Sequence, residues 1–219
     1  MIISHKHKFI FIHIPKCAGS TITYSLLNNL YFELPRKNDW RYTELSTKTA
    51  EVFQTNPNQG NSANLKQHDT FKTINDYYKK NKLNINSYFK FSFMRNPWER
   101  RVSQYKYAKK MAEQTGEDWA MEISLMSFYE FITKRNDSQL NWVINKKNDV
   151  AVDLLSSGRN LQEDFNTICD QIGITKQELP HRNATKHKHY TEYYNDETRQ
   201  IVAEKCAKDI EYFNYKFGE

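Results

Sequence analysis

The stretch Phe9–Leu27, FIFIHIPKCAGSTITYSLL, constrains this chain more than any other. An apolar run of β type breaks at Pro15 into a loop of Lys16, Cys17, Ala18 and Gly19. Apolar residues then return at helical spacing at Ile22, Leu26, Leu27 and Leu30. The pattern predicts strand, tight loop, helix. Small residues let backbone N–H groups approach a ligand, Ser20 and Thr21 can cap the helix while offering hydroxyls, and Lys16 adds a mobile cation. Together these suit a phosphate-like anion; the competing possibility is a basic strand–turn–helix that only packs.

A second junction of the same kind follows. Tyr88–Met94, YFKFSFM, is aromatic or apolar at nearly every position, which suits a buried parallel strand. It ends at Arg95, after which Asn96, Pro97 and Glu99 supply an N-cap, a proline at the first helical position and a carboxylate three residues past the cap. A helix to about Lys110 is expected. Ser103 lies two turns along it, so a phosphate can bridge the Arg95 fork and a hydroxyl. The alternative is an ordinary salt bridge from Arg95 to Glu99, with Ser103 idle.

At 219 residues the chain fits a single α/β domain over 1–219 with a full core. Between residues 31 and 67 the sequence turns polar and Asn-rich, NPNQGNSANLKQ, and is expected to form a lid-like insertion. His68 and Asp69 then stand just before a helical face of Phe71, Ile74, Tyr77 and Tyr78. Ser127 with Glu130 has capping-box spacing, and Ala151–Leu155 is a short strand candidate. Leu161, Phe165, Ile168, Cys169 and Ile172 make an amphipathic stripe closed by Gly173; Ile201, Val202, Cys206 and Ile210 make another.

The balance of 32 Lys+Arg against 26 Asp+Glu, a formal charge of +6, favours anionic ligands. Cys17, Cys169 and Cys206 show no paired spacing and no metal-type CxxC, which suits a reducing compartment. Beside Lys16 the Cys17 thiol invites a nucleophile, but no arginine closes the loop as a phosphatase would need, so Cys17 is expected to be a small filler. No run is long enough to span a bilayer, and MIISHKHKF lacks a signal peptide's apolar region, so a soluble, cytoplasmic chain is expected. His181, His187 and His189 interleave with Arg182, Lys186 and Lys188, whose charges would repel a metal and suit an anionic nucleotide.

Three motifs in this order, IPKCAGST, SFMRNPWERRVSQY and LPHRNATKHKHYTEYYNDET, make the chain resemble a family. It resembles the sulfotransferases that use 3′-phosphoadenosine 5′-phosphosulfate, in the branch holding the Golgi carbohydrate sulfotransferases and their bacterial relatives. The resemblance implies a three-layer, P-loop-like α/β fold, with a mainly parallel central sheet flanked by helices and the site at the carboxyl ends of the strands. It implies that Lys16, Cys17, Ala18, Gly19, Ser20 and Thr21 grip the 5′-phosphosulfate, and that Arg95 and Ser103 grip the 3′-phosphate. Arg182, Thr185, Lys186 and Lys188 would close over the nucleotide. Cys17 and Ala18 stand where threonine and glycine are more usual; a hydroxyl contact is lost, but a cradle of peptide N–H groups is not.

Sulfuryl transfer needs charge stabilisation on the leaving side, which Lys16 and the loop N–H groups can give, and a base on the attacking side. His68 is the candidate base, with Asp69 in reserve, and His13 is expected to be structural or loop-orienting. The expected acceptor is a hydroxyl on a carbohydrate, with no metal, nucleic acid or membrane span required. Two rivals stand beside this. A P-loop kinase or NTPase would want Gly-Lys-Ser/Thr at the helix start and an aspartate for Mg²⁺ at a later strand end, where this chain has Arg95. A basic nucleic-acid module would space aromatics on an exposed face, whereas Phe9, Phe11, Phe89, Phe91 and Phe93 lie in runs that read as buried.

Overall fold

The structure is a computed structural model and describes residues 1–31, 52–54, 65–180 and 188–219. The chain divides into two compact units, Met1–Met94 with Asn141–Ala184, and Arg95–Leu140 with Thr185–Glu219. The strands are β1 (Ile2–Ser4), β2 (Phe9–Ile12), β3 (Val52–Gln54), β4 (Phe89–Phe93) and β5 (Leu154–Ser156). The described helices are α1 (Gly19–Tyr31), α2 (Phe71–Lys80), α3 (Pro97–Thr115), α4 (Asp118–Ser124), α5 (Phe128–Lys134), α6 (Leu161–Ile172), α7 (Asp196–Lys205) and α8 (Ala207–Phe213). Among the described residues no helix is long and apolar enough to cross a membrane.

The first unit is built on the sheet, ordered β3-β1-β2-β4-β5. β2 pairs with β4 and β4 with β5 in parallel, while β1 is antiparallel to both of its neighbours. Four of the described strands therefore run one way and β1 runs against them, the mainly parallel α/β sheet that was expected. Alternation sends Phe9, Phe11, Phe91 and Phe93 to one face, where Ile22, Leu26 and Leu27 of α1 and Phe165, Ile168 and Cys169 of α6 cover them. On the other face Ile10 and Ile12 are equally buried, and Tyr78 of α2 meets Tyr88 edge-on at 5.3 Å. Each such side chain contributes roughly 1.5–3 kcal/mol on burial, and a one-residue slip of β4 would drive Lys90 and Ser92 into the phenylalanine face. That is what fixes Phe11 opposite Phe91.

Three strands depart from the sequence pattern. β5 begins at Leu154, three residues later than expected, because Asp153 is already tied to β4: its carboxylate accepts from Lys90 N at 2.7 Å and its own N–H donates to Lys90 O at 2.7 Å. β1 was not foreseen; it forms a hairpin with β2 whose turn uses a left-handed Lys8. Within the segment expected to be a lid, Val52–Gln54 is an edge strand beside β1. Residues 32–51 and 55–64 lie outside the described residues.

The second unit is helical. Asn96 caps α3, its side chain accepting from Trp98 N at 3.1 Å with Pro97 in the first turn, and the helix runs past Lys110 to Thr115 before a left-handed Gly116 (φ 64°) ends it. Met111, buried, is what the extra turn contributes to the core. Ser127 and Glu130 form both halves of the capping box of α5. The stripe from Ile201 to Ile210 breaks at Cys206 into α7 and α8. Arg100 and Arg101 are buried against Asp137, Arg100 Nη2 at 3.0 Å from its Oδ2. Burial pushes the Asp137 carboxyl up, yet the two guanidiniums outweigh it and hold it below the ordinary carboxylate value.

Candidate active site

The chain leaves β2 at Ile12 and reaches α1 at Gly19 through a loop whose backbone does the unusual work. Lys16 (φ 67°) and Ala18 (φ 56°) are both left-handed, with Cys17 between them on the ordinary side. Alternation of this kind turns successive N–H groups toward one point and makes a concavity for an anion. Cys17 N donates to Ile14 O at 3.4 Å, closing the turn, and the buried Cys17 thiol donates to Pro15 O at 3.7 Å. The cysteine fills the loop from inside, as expected. The first helical bond is Ile22 N to Ala18 O at 3.1 Å, so the N–H groups of Gly19, Ser20 and Thr21 stand at the open, positive end of α1. The first turn of α1 holds no acidic residue to compete with an incoming anion.

His13 sets the floor of this loop. Its ring is buried, stacks on Phe11 at 5.7 Å, and lies so close to Gly19 that a Cβ there would fall 1.8 Å from Nε2. Glycine at 19 is therefore a matter of room. Burial above all, then the amino terminus, His68 and Lys16, holds the His13 imidazole well below its ordinary pKa of 6.5, so it is neutral. His68 rests on this histidine. The rings meet edge-on at 4.5 Å, and His68 Nδ1 lies 2.8 Å from the backbone carbonyl of His13. A carbonyl only accepts, so Nδ1 carries a hydrogen, and in the neutral ring Nε2 keeps its lone pair. Trp142 Nε1 donates to His68 O at 3.0 Å and fixes the backbone from the other side. Asp69 is committed to its own turn, its carboxylate accepting from Lys66 N and its N–H donating to Lys66 O at 3.2 Å.

The structure thus brings Lys16, Cys17, Ala18, Gly19, Ser20, Thr21 and His68 into one unit. Arg95 and Ser103 belong to the other, Arg95 as the second residue beyond β4 and Ser103 half-buried on α3. Arg95 Nη2 pairs with Glu99 Oε1, the arrangement set against phosphate binding above, and Ser103 lies one turn beyond Glu99 on the same side of the helix. Lys188 is exposed and 3.7 Å from Glu192; Arg182, Thr185 and Lys186 lie outside the described residues. One participant escaped the sequence altogether: the buried side chain of Gln139 hydrogen-bonds both backbone polar groups of Arg95. No local spacing announces it.

An anion cradle at the mouth of α1, beside an imidazole held through Nδ1 by the His13 carbonyl, can hold a leaving group and accept a proton from an attacking one. Compared with known proteins, the chain matches the model of the sulfotransferase family over residues 1–216, across both units. No curated protein and no solved structure matches it. The match spans nearly the whole sequence, and this chain belongs to the sulfotransferase family, whose members transfer sulfuryl groups.

Proposed function

We propose that this sulfotransferase takes its sulfuryl group from 3′-phosphoadenosine 5′-phosphosulfate and delivers it to a hydroxyl of a carbohydrate, working as one catalytic domain without a metal. The observation that carries the reading is the left-handed pair Lys16 and Ala18 at the mouth of α1, with His68 seated on His13. A tetrahedral anion fits that cradle by its N–H donors and its charge. Bound there, the donor supplies an SO₃ unit and leaves as adenosine 3′,5′-bisphosphate.

In this scheme Lys16 and the N–H groups of Gly19, Ser20 and Thr21 hold the charge that develops on the departing phosphate. His68 Nε2 takes the proton of the attacking hydroxyl, while the His13 carbonyl keeps Nδ1 protonated. Arg95 and Ser103 take the 3′-phosphate. Arg182, Thr185, Lys186 and Lys188 close over the nucleotide. The carbohydrate acceptor rests on the ordered motifs of the sequence. A cytoplasmic location is supported by three cysteines, none of them in a disulfide. Cys17 and Ala18 leave the cradle intact because its donors are main-chain groups.

The test is a screen by mass spectrometry, in which the enzyme with its donor is offered carbohydrates, lipids and small alcohols. Sulfuryl gain on a carbohydrate is the expected result. Gain confined to another class overturns the acceptor. Binding of ATP with Mg²⁺ in preference to adenosine 3′,5′-bisphosphate would point to the kinase rival instead.

A further inference from the structure

Arg95 lies two residues beyond β4, and its main chain is held at both ends by one side chain. Gln139 Oε1 accepts from Arg95 N at 2.9 Å, and Gln139 Nε2 donates to Arg95 O at 2.8 Å. An amide offered edge-on in this way copies the pair of bonds that a neighbouring strand residue would make. Gln139 is fully buried and is itself held by Asp209, a carboxylate on α8 that is equally buried. Asp209 accepts from Gln139 N at 2.7 Å, Gln139 Nε2 at 3.4 Å, Leu140 N at 3.1 Å and Ser138 Oγ at 2.5 Å. Such a carboxylate is tolerated out of water because these donors satisfy it.

We propose that Gln139 and Asp209 are positioning residues for Arg95. They fix the direction in which its guanidinium leaves the backbone, and so set the preference for a nucleotide bearing a 3′-phosphate. This rests on the assignment of Arg95 to the 3′-phosphate. Glu99 is already beside that guanidinium, so Arg95 reaches a phosphate only by turning from one oxygen anion to another, and a bidentate fork demands a fixed root. Gln139 supplies the root without touching the ligand.

The measurement compares the affinity of the full-length protein for adenosine 3′,5′-bisphosphate with that for adenosine 5′-monophosphate, as a ratio within each variant. The wild type is expected to prefer the bisphosphate and Arg95→Ala to lose that preference. Gln139→Met should lower the ratio about 10-fold, a charge-assisted hydrogen bond's worth, while monophosphate affinity stays within about twofold. General loosening of the fold would weaken both nucleotides together and leave the ratio alone. Gln139→Glu, which keeps the shape and the acceptor but removes the donor to Arg95 O, is the second variant should the methionine not fold, and Asp209→Asn should move the ratio the same way. An unchanged ratio in a folded Gln139 variant, with Arg95→Ala losing the preference, overturns the clamp alone. If Arg95→Ala keeps the wild-type preference, the assignment of Arg95 falls and the clamp's role falls with it.

Discussion

At the scale of single residues, His68 is where chemistry and binding separate. If its Nε2 takes the acceptor's proton, His68→Ala should lower turnover by about 10²–10⁴-fold while donor affinity is unchanged. Normal turnover in that variant would assign the base elsewhere. His13 beneath it gives a pH signature in stability. Its folded pKa is depressed, so the unfolded chain binds the proton first; stability is complete above about pH 6.5 and lost as pH falls below it, by at most about 1.4 kcal/mol per pH unit. Denaturant melts between about pH 7 and 5.5 should show this slope in the wild type and a flatter one in His13→Gln. Ala18 is the third case. Its left-handed φ of 56° costs an alanine roughly 1–2 kcal/mol, against 0.5–1 kcal/mol of extra chain entropy for glycine. Ala18→Gly should therefore stabilise the protein by about 0.5–1 kcal/mol in the same melts, and a loss of stability would mean that the loop relaxes in solution.

At the scale of elements, the start of α3 decides whether Arg95 is available. An (i, i+4) pair as exposed as Arg95–Glu99 is worth about 0.3–0.5 kcal/mol, whereas charge-assisted bonds to a phosphate bring roughly 1.5–3 kcal/mol, so in the proposed complex the phosphate would win the guanidinium. Removing the competitor should show: Glu99→Gln is expected to tighten adenosine 3′,5′-bisphosphate by about two- to fivefold by calorimetry, and weaker binding would mean that Glu99 orients Arg95 instead. The elements legible in the sequence were those governed by neighbours in the chain. The loop between β2 and α1, the Asn96–Pro97 start of α3, the Ser127–Glu130 box and the Gly173 stop each rest on residues within one or two turns. β1 was not legible, since two isoleucines and a serine before a basic turn carry no period of their own. Gln139 and Asp209 were hidden for a different reason: they act on groups 44 and 70 residues away, and only the fold brings those together. The same holds for His13, whose claim on the space above Gly19 is invisible until both are placed.

At the scale of the molecule, the formal charge of +6 favours an anionic nucleotide before any contact is made. Raising NaCl from about 0.05 to 0.5 M shortens the screening length severalfold, so affinity for adenosine 3′,5′-bisphosphate should fall while affinity for neutral adenosine holds. Equal loss for both would remove electrostatics from the account of binding. The order in which the chain visits its two units has a further, practical consequence. Each is stitched from two stretches that alternate along the sequence, so no single cut releases either one. A stop codon after Leu140 would strip β5 and α6 from the sheet and leave Gln139 without Asp209 beneath it. Fragments made by trimming from either end are thus poor reagents for this protein. Asking what the sheet does alone takes a rewired gene, with Met94 spliced to Asn141 through a short linker.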